Sequence, residues 1–264
     1  GNMKQIISIF IILVSVLTAC TSDLETVVSS RSLGVEATTQ TRANASLKYQ
    51  ISDFTKKCSL SGSDLTEFNS ILKLMQDDYA TGSFYVPLFK RDLANGYKIV
   101  DISRSSSTIN QGGYNPTTKK ITFNETADIS NVFPEEFIHF NQDNYYPGGT
   151  SQYVTKGKPN IEMEAKIIED CADLYGTAAA YYGAGPTYGD TYRNWIWDLV
   201  YNNSDNDKYF PSMNYVLTYK INNIGYRDFI EDLKKKSASY NYESINSLNP
   251  ILIDFIYKNK NGAK

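Results

Sequence analysis

The 264-residue chain contains a single histidine, His139. Any catalytic or metal site that relies on histidine must therefore use this one residue. No G-x-S-x-G segment marks a nucleophilic serine, and no glycine-rich phosphate loop follows a predicted strand. The net charge is −3, the sequence pI is about 5.3 and no extended basic run occurs, which argues against nucleic acid as a partner.

Cysteine is also scarce, since the chain has only Cys20, Cys58 and Cys171, none in metal-like spacing. If the chain is exported, Cys58 and Cys171 reach a compartment where disulfides form, but two thiols do not establish a bond. Their pairing stays open. Cys171 falls within a predicted apolar helix stripe, which favours a packed or disulfide-bonded residue over a nucleophile.

Near the amino terminus, Lys4 precedes an apolar run from Ile6 to Leu17. This run is shorter than the ~20 residues that cross a bilayer, so it predicts a signal peptide over residues 1–19. Leu17-Thr18-Ala19-Cys20 resembles a bacterial lipobox, which implies cleavage before Cys20 and attachment of lipid to it. An ordinary signal peptide and an uncleaved anchor remain as alternatives.

The lipobox resemblance implies a membrane-anchored lipoprotein of the bacterial cell envelope, on the periplasmic or surface face of the outer membrane. Residues 20–45 are rich in Ser, Thr and Ala without clear periodicity, which indicates a lipidated tether. Residues 46–264 are long enough for one domain with a sizeable core.

Hydrophobic periodicity predicts a mainly helical α+β fold for this domain. Helices are predicted over 65–79, 83–96 with an interruption near Pro87, 130–143 and 159–183, followed by four more over 191–202, 210–223, 224–238 and 245–259. Strands are predicted over 97–102 and 120–123, and Pro134 is placed in the first turn of its helix.

The segment "PEEFIHF" carries Glu135, Glu136 and His139 on one predicted helix. Residues four apart share a helix face, so Glu135 and His139 point the same way, as two metal ligands from one helix must. A third ligand has to come from elsewhere, and the next helix offers Glu162, Glu164 and Glu169. A lone histidine beside two glutamates is also typical of an ordinary ion-pair cluster at the surface or at the boundary between core and surface.

The order of elements over residues 112–176 resembles the core of the zincin metallopeptidases, and in particular the gluzincin type: a strand "YNPTTKKITF", a helix with E-E-x-x-H and a second helix with "NIEMEA". The resemblance implies that Glu136 is the catalytic general base and that His139 and Glu164 are metal ligands, with Glu162 as the next choice to Glu164. It also implies that the strand of Ile121 and Phe123 is the edge along which an extended substrate aligns.

Glu135 departs from this family, because it stands where the zincins have their first histidine ligand. A Glu135, His139 and Glu164 site would be more anionic than the usual one and would hold zinc or another divalent metal, with weaker activation of water. In the alternative, no metal binds and His139 hydrogen-bonds a carboxylate. A ferritin-like di-iron site is disfavoured, because it needs two E-x-x-H pairs.

These residues predict a cell-envelope lipoprotein with a catalytically degenerate zincin-like domain. We expect it to bind a peptide, protein or glycan in a cleft between the 121–123 strand and the 134–143 helix. The alternative is a metal-dependent peptidase with Glu136 as general base.

Overall fold

A computed structural model describes residues 47–77, 82–106, 111–176, 179–203 and 209–260. The predicted signal peptide, Cys20 and the predicted tether lie outside these residues. The described α-helices are α1 (Ile51–Phe54), α2 (Gly62–Leu74), α3 (Gly82–Asn95), α4 (Ile129–Tyr145), α5 (Lys158–Gly176), α6 (Gly189–Trp197), α7 (Met213–Thr218), α8 (Tyr226–Leu233) and α9 (Ile251–Asn259). The described strands are β1 (Asp101–Ser105), β2 (Gly112–Asn115), β3 (Lys120–Asn124), β4 (Lys220–Ile221) and β5 (Ile224–Gly225). The predicted fold class, α+β and mainly helical, is confirmed.

The three-stranded sheet has the order β1-β3-β2, with β3 parallel to β1 and antiparallel to β2. The backbone N–H of Ser59 donates to the carbonyl of Ile102 in β1, and that of Lys56 donates to the carbonyl of Ile99 just before the strand, so residues 56–59 cover the outer side of β1. The expectation that the strand of Ile121 and Phe123 is an edge is therefore wrong, because β3 lies between the other two strands. The side chains of Ile121 and Phe123 are fully buried, so these two residues do not line an open cleft.

Helix α4 positions most of the chemistry-bearing residues. Its N-cap is Asp128, whose side chain accepts a hydrogen bond from the backbone N–H of Asn131 at 3.1 Å. Pro134 is the sixth residue of the helix rather than part of its first turn, and the helix continues through it. Pro87 likewise lies inside an unbroken α3, so the predicted interruption there is wrong.

The apolar side of α4 packs into an aromatic core. Phe137 contacts Phe89 of α3 with ring centroids 4.4 Å apart, and Phe133 contacts Phe68 of α2 at 4.6 Å. These rings fix the rotation of α4 about its axis. Its opposite, polar face is consequently turned towards β2 and α5.

Helix α5 ends at Gly176, earlier than the predicted end at 183. The buried carboxylate of Asp170 accepts hydrogen bonds from the backbone N–H groups of Tyr182 and Gly183 and from the Tyr192 hydroxyl. These bonds hold Tyr182 and Gly183 in a non-helical conformation. Propensity alone did not indicate this conformation, because the stabilising partner lies a dozen residues away.

The one-turn helix α1, strand β2 and the β4–β5 hairpin were not predicted. β2 is built around Gly112 and Gly113, which have low intrinsic strand propensity. A Cβ atom on Gly112 would lie 2.6 Å from a side-chain carbon of Val132, so the close approach of β2 to α4 requires glycine. The β4–β5 hairpin falls within a segment predicted as helix and turns at Asn222 and Asn223, both with positive φ.

Candidate functional site: a four-charge cluster between two helices

Glu135 and His139 lie one turn apart on the polar face of α4, as predicted. The Nε2 atom of His139 lies 3.7 Å from Oε1 of Glu135. Both side chains are mostly buried, with 15% of His139 and 22% of Glu135 exposed. The helical spacing is therefore sufficient to bring these two donors together.

Helix α5 places Glu162 and Lys166 opposite this pair, also one turn apart. Oε2 of Glu162 lies 3.5 Å from Nε2 of His139, and Nζ of Lys166 lies 2.7 Å from Oε1 of Glu135. Lys166, the later residue on α5, thus faces Glu135, the earlier residue on α4, so the two helices run antiparallel here. We call Glu135, His139, Glu162 and Lys166 the four-charge cluster.

Glu135, His139 and Glu162 could hold a metal ion, since one donor atom from each lies within 4.8 Å of the others. A tetrahedral ion with bonds of about 2.1 Å separates its ligand atoms by roughly 3.4 Å. The two histidine–carboxylate distances of 3.7 and 3.5 Å match this spacing. Lys166 does not fit such a site, because its ammonium already lies 2.7 Å from one of the three donors.

The charges of the cluster shift its pKa values in mutually supporting directions. Burial acts to lower the pKa of His139, but the charge of Glu162 and the hydrogen bonds of Glu135 and Glu162 outweigh it and raise that pKa well above 6.5. Burial acts to raise the pKa of Glu135, and the charge of Lys166 outweighs it and lowers that pKa. The cluster therefore carries two positive and two negative charges at neutral pH and is balanced without a metal.

Gln142 fixes the orientation of the histidine ring. Its amide nitrogen donates to the backbone carbonyl of Ile161 and to Glu164, each at 2.8 Å. Its oxygen must then accept a hydrogen bond from Nδ1 of His139, also at 2.8 Å. Nδ1 therefore carries a proton, and Nε2 is the nitrogen that faces the two carboxylates.

Glu136, the expected general base, is buried beside the cluster. Its carboxylate accepts a hydrogen bond of 2.6 Å from the backbone N–H of Tyr114 on β2. Burial and the neighbouring negative charges of Glu135 and Glu162 raise its pKa to about 7, although the charge of His139 opposes them. Glu136 is therefore poised to exchange a proton near neutral pH.

Glu164, the expected third ligand, does not converge on His139 with Glu135. It is fully buried on another side of α5, where Oε1 accepts from the backbone N–H groups of Leu252 and Ile253 at 2.7 and 3.2 Å. Oε2 accepts from Gln142 and the Tyr146 hydroxyl, both at 2.8 Å. Glu164 thus stabilises the first turn of α9, and Glu162 takes the position beside His139.

No protein-family model matches the chain, and neither a curated protein nor a solved structure is detectably similar to it. What is established is a mixed, mainly helical fold with a glutamate–histidine–glutamate group. The zincin resemblance rests on the residues and the order of elements given above.

Sequence reasoning missed Lys166 and Gln142. Lys166 lies four residues after Glu162, so the same helical spacing that pairs Glu135 with His139 would have placed it at the site. Gln142 lies three residues after His139 and had the same signal. Both were overlooked because they are not typical metal ligands.

Cys58 and Cys171 are free thiols, which answers the question of their pairing. In the described part of the chain, no helix combines the length and apolarity needed to cross a membrane. Cys20, the predicted lipidation site, lies outside the described residues.

Proposed function

We propose that the chain is a cell-envelope lipoprotein whose domain binds a partner and does not catalyse hydrolysis. The observation that carries this proposal is the contact between Lys166 and Glu135. The ammonium of Lys166 forms an ion pair with the carboxylate of Glu135, the residue that stands where the zincins have their first metal ligand. The cluster is neutral as it stands, so it has little electrostatic need for a cation.

The engagement of Glu136 supports the same proposal. A general base must be free to accept a proton from water near the reacting bond. Glu136 instead binds the outward-facing N–H of Tyr114, the type of edge-strand donor that an extended peptide substrate would use. Productive alignment of a substrate along β2 would have to break this hydrogen bond.

The surface offers an aromatic contact for a peptide, protein or glycan partner. The rings of Trp197 and Tyr201 lie with centroids 4.7 Å apart, and 48% and 37% of these residues are exposed. Exposed rings with polar tips are typical of recognition surfaces, because they bury apolar area at low entropic cost. We therefore propose that the partner contacts this aromatic pair, and not a cleft between the 121–123 strand and the 134–143 helix.

Elemental analysis of protein purified without chelator, together with a peptidase assay, tests the non-catalytic proposal. We expect substoichiometric metal, no hydrolysis of unstructured peptides, and no response to added Zn²⁺ or Mn²⁺. Near-stoichiometric metal that disappears in His139→Ala, with hydrolytic activity, would overturn it.

Binding to arrays of envelope glycans and peptides, with Trp197→Ala alongside, tests the partner surface. We expect a ligand that binds the wild type to lose binding to Trp197→Ala. Unchanged binding would show that the contact surface lies elsewhere on the domain. Release of the protein from membranes by Cys20→Ala tests the lipid anchor, and unchanged partitioning would contradict it.

The second function we consider is a metal-dependent peptidase, in which zinc or another divalent ion is held by Glu135, His139 and Glu162. The matching donor spacing and the pKa of about 7 for Glu136 favour it. In that case Glu136→Gln abolishes activity while leaving metal content and folding intact. Retained activity would assign the base to another residue.

A further inference from the structure

Lys166 is unusual among the described lysines that form ion pairs, because it is both buried and directed into a group of potential ligands. Only 5% of its side chain is exposed, whereas the ion-paired Lys258 is 67% exposed. Its ammonium lies 2.7 Å from Oε1 of Glu135 and 5.3 Å from the centroid of the Tyr240 ring. Carboxylate, aromatic face and helix packing together hold it in one position.

We propose that Lys166 is a built-in cation that takes the place of a divalent metal, and that its removal turns Glu135, His139 and Glu162 into a metal site. This inference rests on the proposed non-catalytic function and deepens it. The three donors already have suitable spacing, and Lys166 is the one member of the four-charge cluster that is not itself a potential metal ligand.

The opposition has a geometric and an electrostatic cause. A metal bound to Oε1 of Glu135 would lie about 2.1 Å from that oxygen and so within a few ångströms of the ammonium. Two like charges at that separation repel strongly in a buried environment. Lys166 cannot move away cheaply, because leaving Glu135 would strand a buried charge.

The donor set defines the metal class. One imidazole nitrogen and two carboxylate oxygens form a mixed site that suits Mn²⁺, Fe²⁺ or Zn²⁺. Gln142 already supplies the outer hydrogen bond that orients a metal-binding histidine, with Nδ1 protonated and Nε2 directed at the carboxylates. The latent site therefore has its supporting contact in place.

Lys166→Met tests this proposal, because methionine has a similar length and no charge. Isothermal titration with Zn²⁺ alone and with Mn²⁺ alone should show one site, bound on the order of 100-fold more tightly than in the wild type. The double variant Lys166→Met/His139→Ala should return to the wild-type affinity.

Lys258→Met is the matched control, since Lys258 also pairs with a carboxylate, Asp254 at 2.6 Å, but on the exposed side of α9. It should bind metal no better than the wild type. If Lys166→Met fails to fold by circular dichroism, Lys166→Gln retains an N–H donor for Glu135 and should show the same gain.

Two results would overturn the inference. If Lys166→Met and Lys166→Gln fold but bind metal no more tightly than the wild type, the lysine does not block a metal site. The proposed non-catalytic function would still stand in that case, provided that the wild type is metal-free and inactive. Wild-type protein that binds metal as tightly as Lys166→Met and hydrolyses peptides would instead reject both.

Discussion

Glu162 and Glu164 lie two residues apart on α5, yet they serve different regions of the molecule. Glu162 belongs to the four-charge cluster, where it faces His139 and stays 15% exposed. Glu164 is fully buried, has no cation among its hydrogen-bond partners, and is satisfied by four neutral donors. A buried carboxylate can thus be stabilised by opposite charge or by directed N–H and O–H groups, and only the first arrangement places a carboxylate among potential metal ligands.

Removing Glu164 should have the largest effect on stability. Glu164→Ala leaves the backbone N–H groups of Leu252 and Ile253 without their acceptor and removes one of the two acceptors of the Tyr146 hydroxyl. We therefore expect a loss of about 3–5 kcal/mol. Glu162→Ala should cost only about 1–2 kcal/mol, because His139 keeps Glu135 as a partner. Urea unfolding of both variants measures the difference. Equal losses would mean that α9 does not depend on Glu164.

The adjacent residues Glu135 and Glu136 should respond to pH in opposite directions. The pKa of Glu135 is lowered, so its stabilising contribution is present above about 4.5 and is lost as pH falls below that value. The pKa of Glu136 is raised to about 7, so stability from its protonated form is lost as pH rises from about 4.5 to 7.

At pH 8 we therefore expect Glu135→Gln to destabilise the protein by about 2–4 kcal/mol. The unfolding free energy of Glu136→Gln minus that of the wild type should be roughly 1–3 kcal/mol more favourable to the variant at pH 8 than at pH 4. Unfolding free energies measured from about pH 2 to 8 test both responses, since the contribution of Glu135 is lost below about 4.5. A flat difference between Glu136→Gln and wild type would show that Glu136 titrates normally.

Gln142 connects the two regions, and its removal should have the smallest effect. Gln142→Ala breaks the contact to Nδ1 of His139 as well as the contact to Glu164, at a cost of about 1–2 kcal/mol. Nitrogen NMR shifts of the His139 ring should report a changed proton position or exchange at Nδ1. An unchanged spectrum would show that the ring is oriented by its other neighbours.

The sequence predicted the contents of α4 well but not the third acidic residue of the site. Glu135, Glu136 and His139 lie on one element, so helical spacing alone fixes their relation. Glu162 and Glu164 flank the apolar stripe of α5 on opposite sides, since two residues correspond to roughly 200° of rotation. Which side meets α4 depends on how the two helices pack, and periodicity does not reveal that.

Long amphipathic helices were predictable for the same reason, whereas β2 and the β4–β5 hairpin were not. The β4–β5 hairpin has only two residues on each side, and β2 contains two glycines. Such segments form strands because they pair with and pack against other elements, and not because their own residues have high strand propensity. The predicted signal peptide and lipid anchor stay predictions, because they lie outside the described residues.

The hydrogen bond between Glu136 and Tyr114 also has a consequence for solubility. An exposed strand edge is a template on which other chains can add strands and aggregate. Here a carboxylate side chain occupies an outward N–H of β2, and Gly112 brings the same strand close against Val132. Helix α4 thereby covers this edge of the sheet, which gives Glu136 a structural role that does not depend on catalysis.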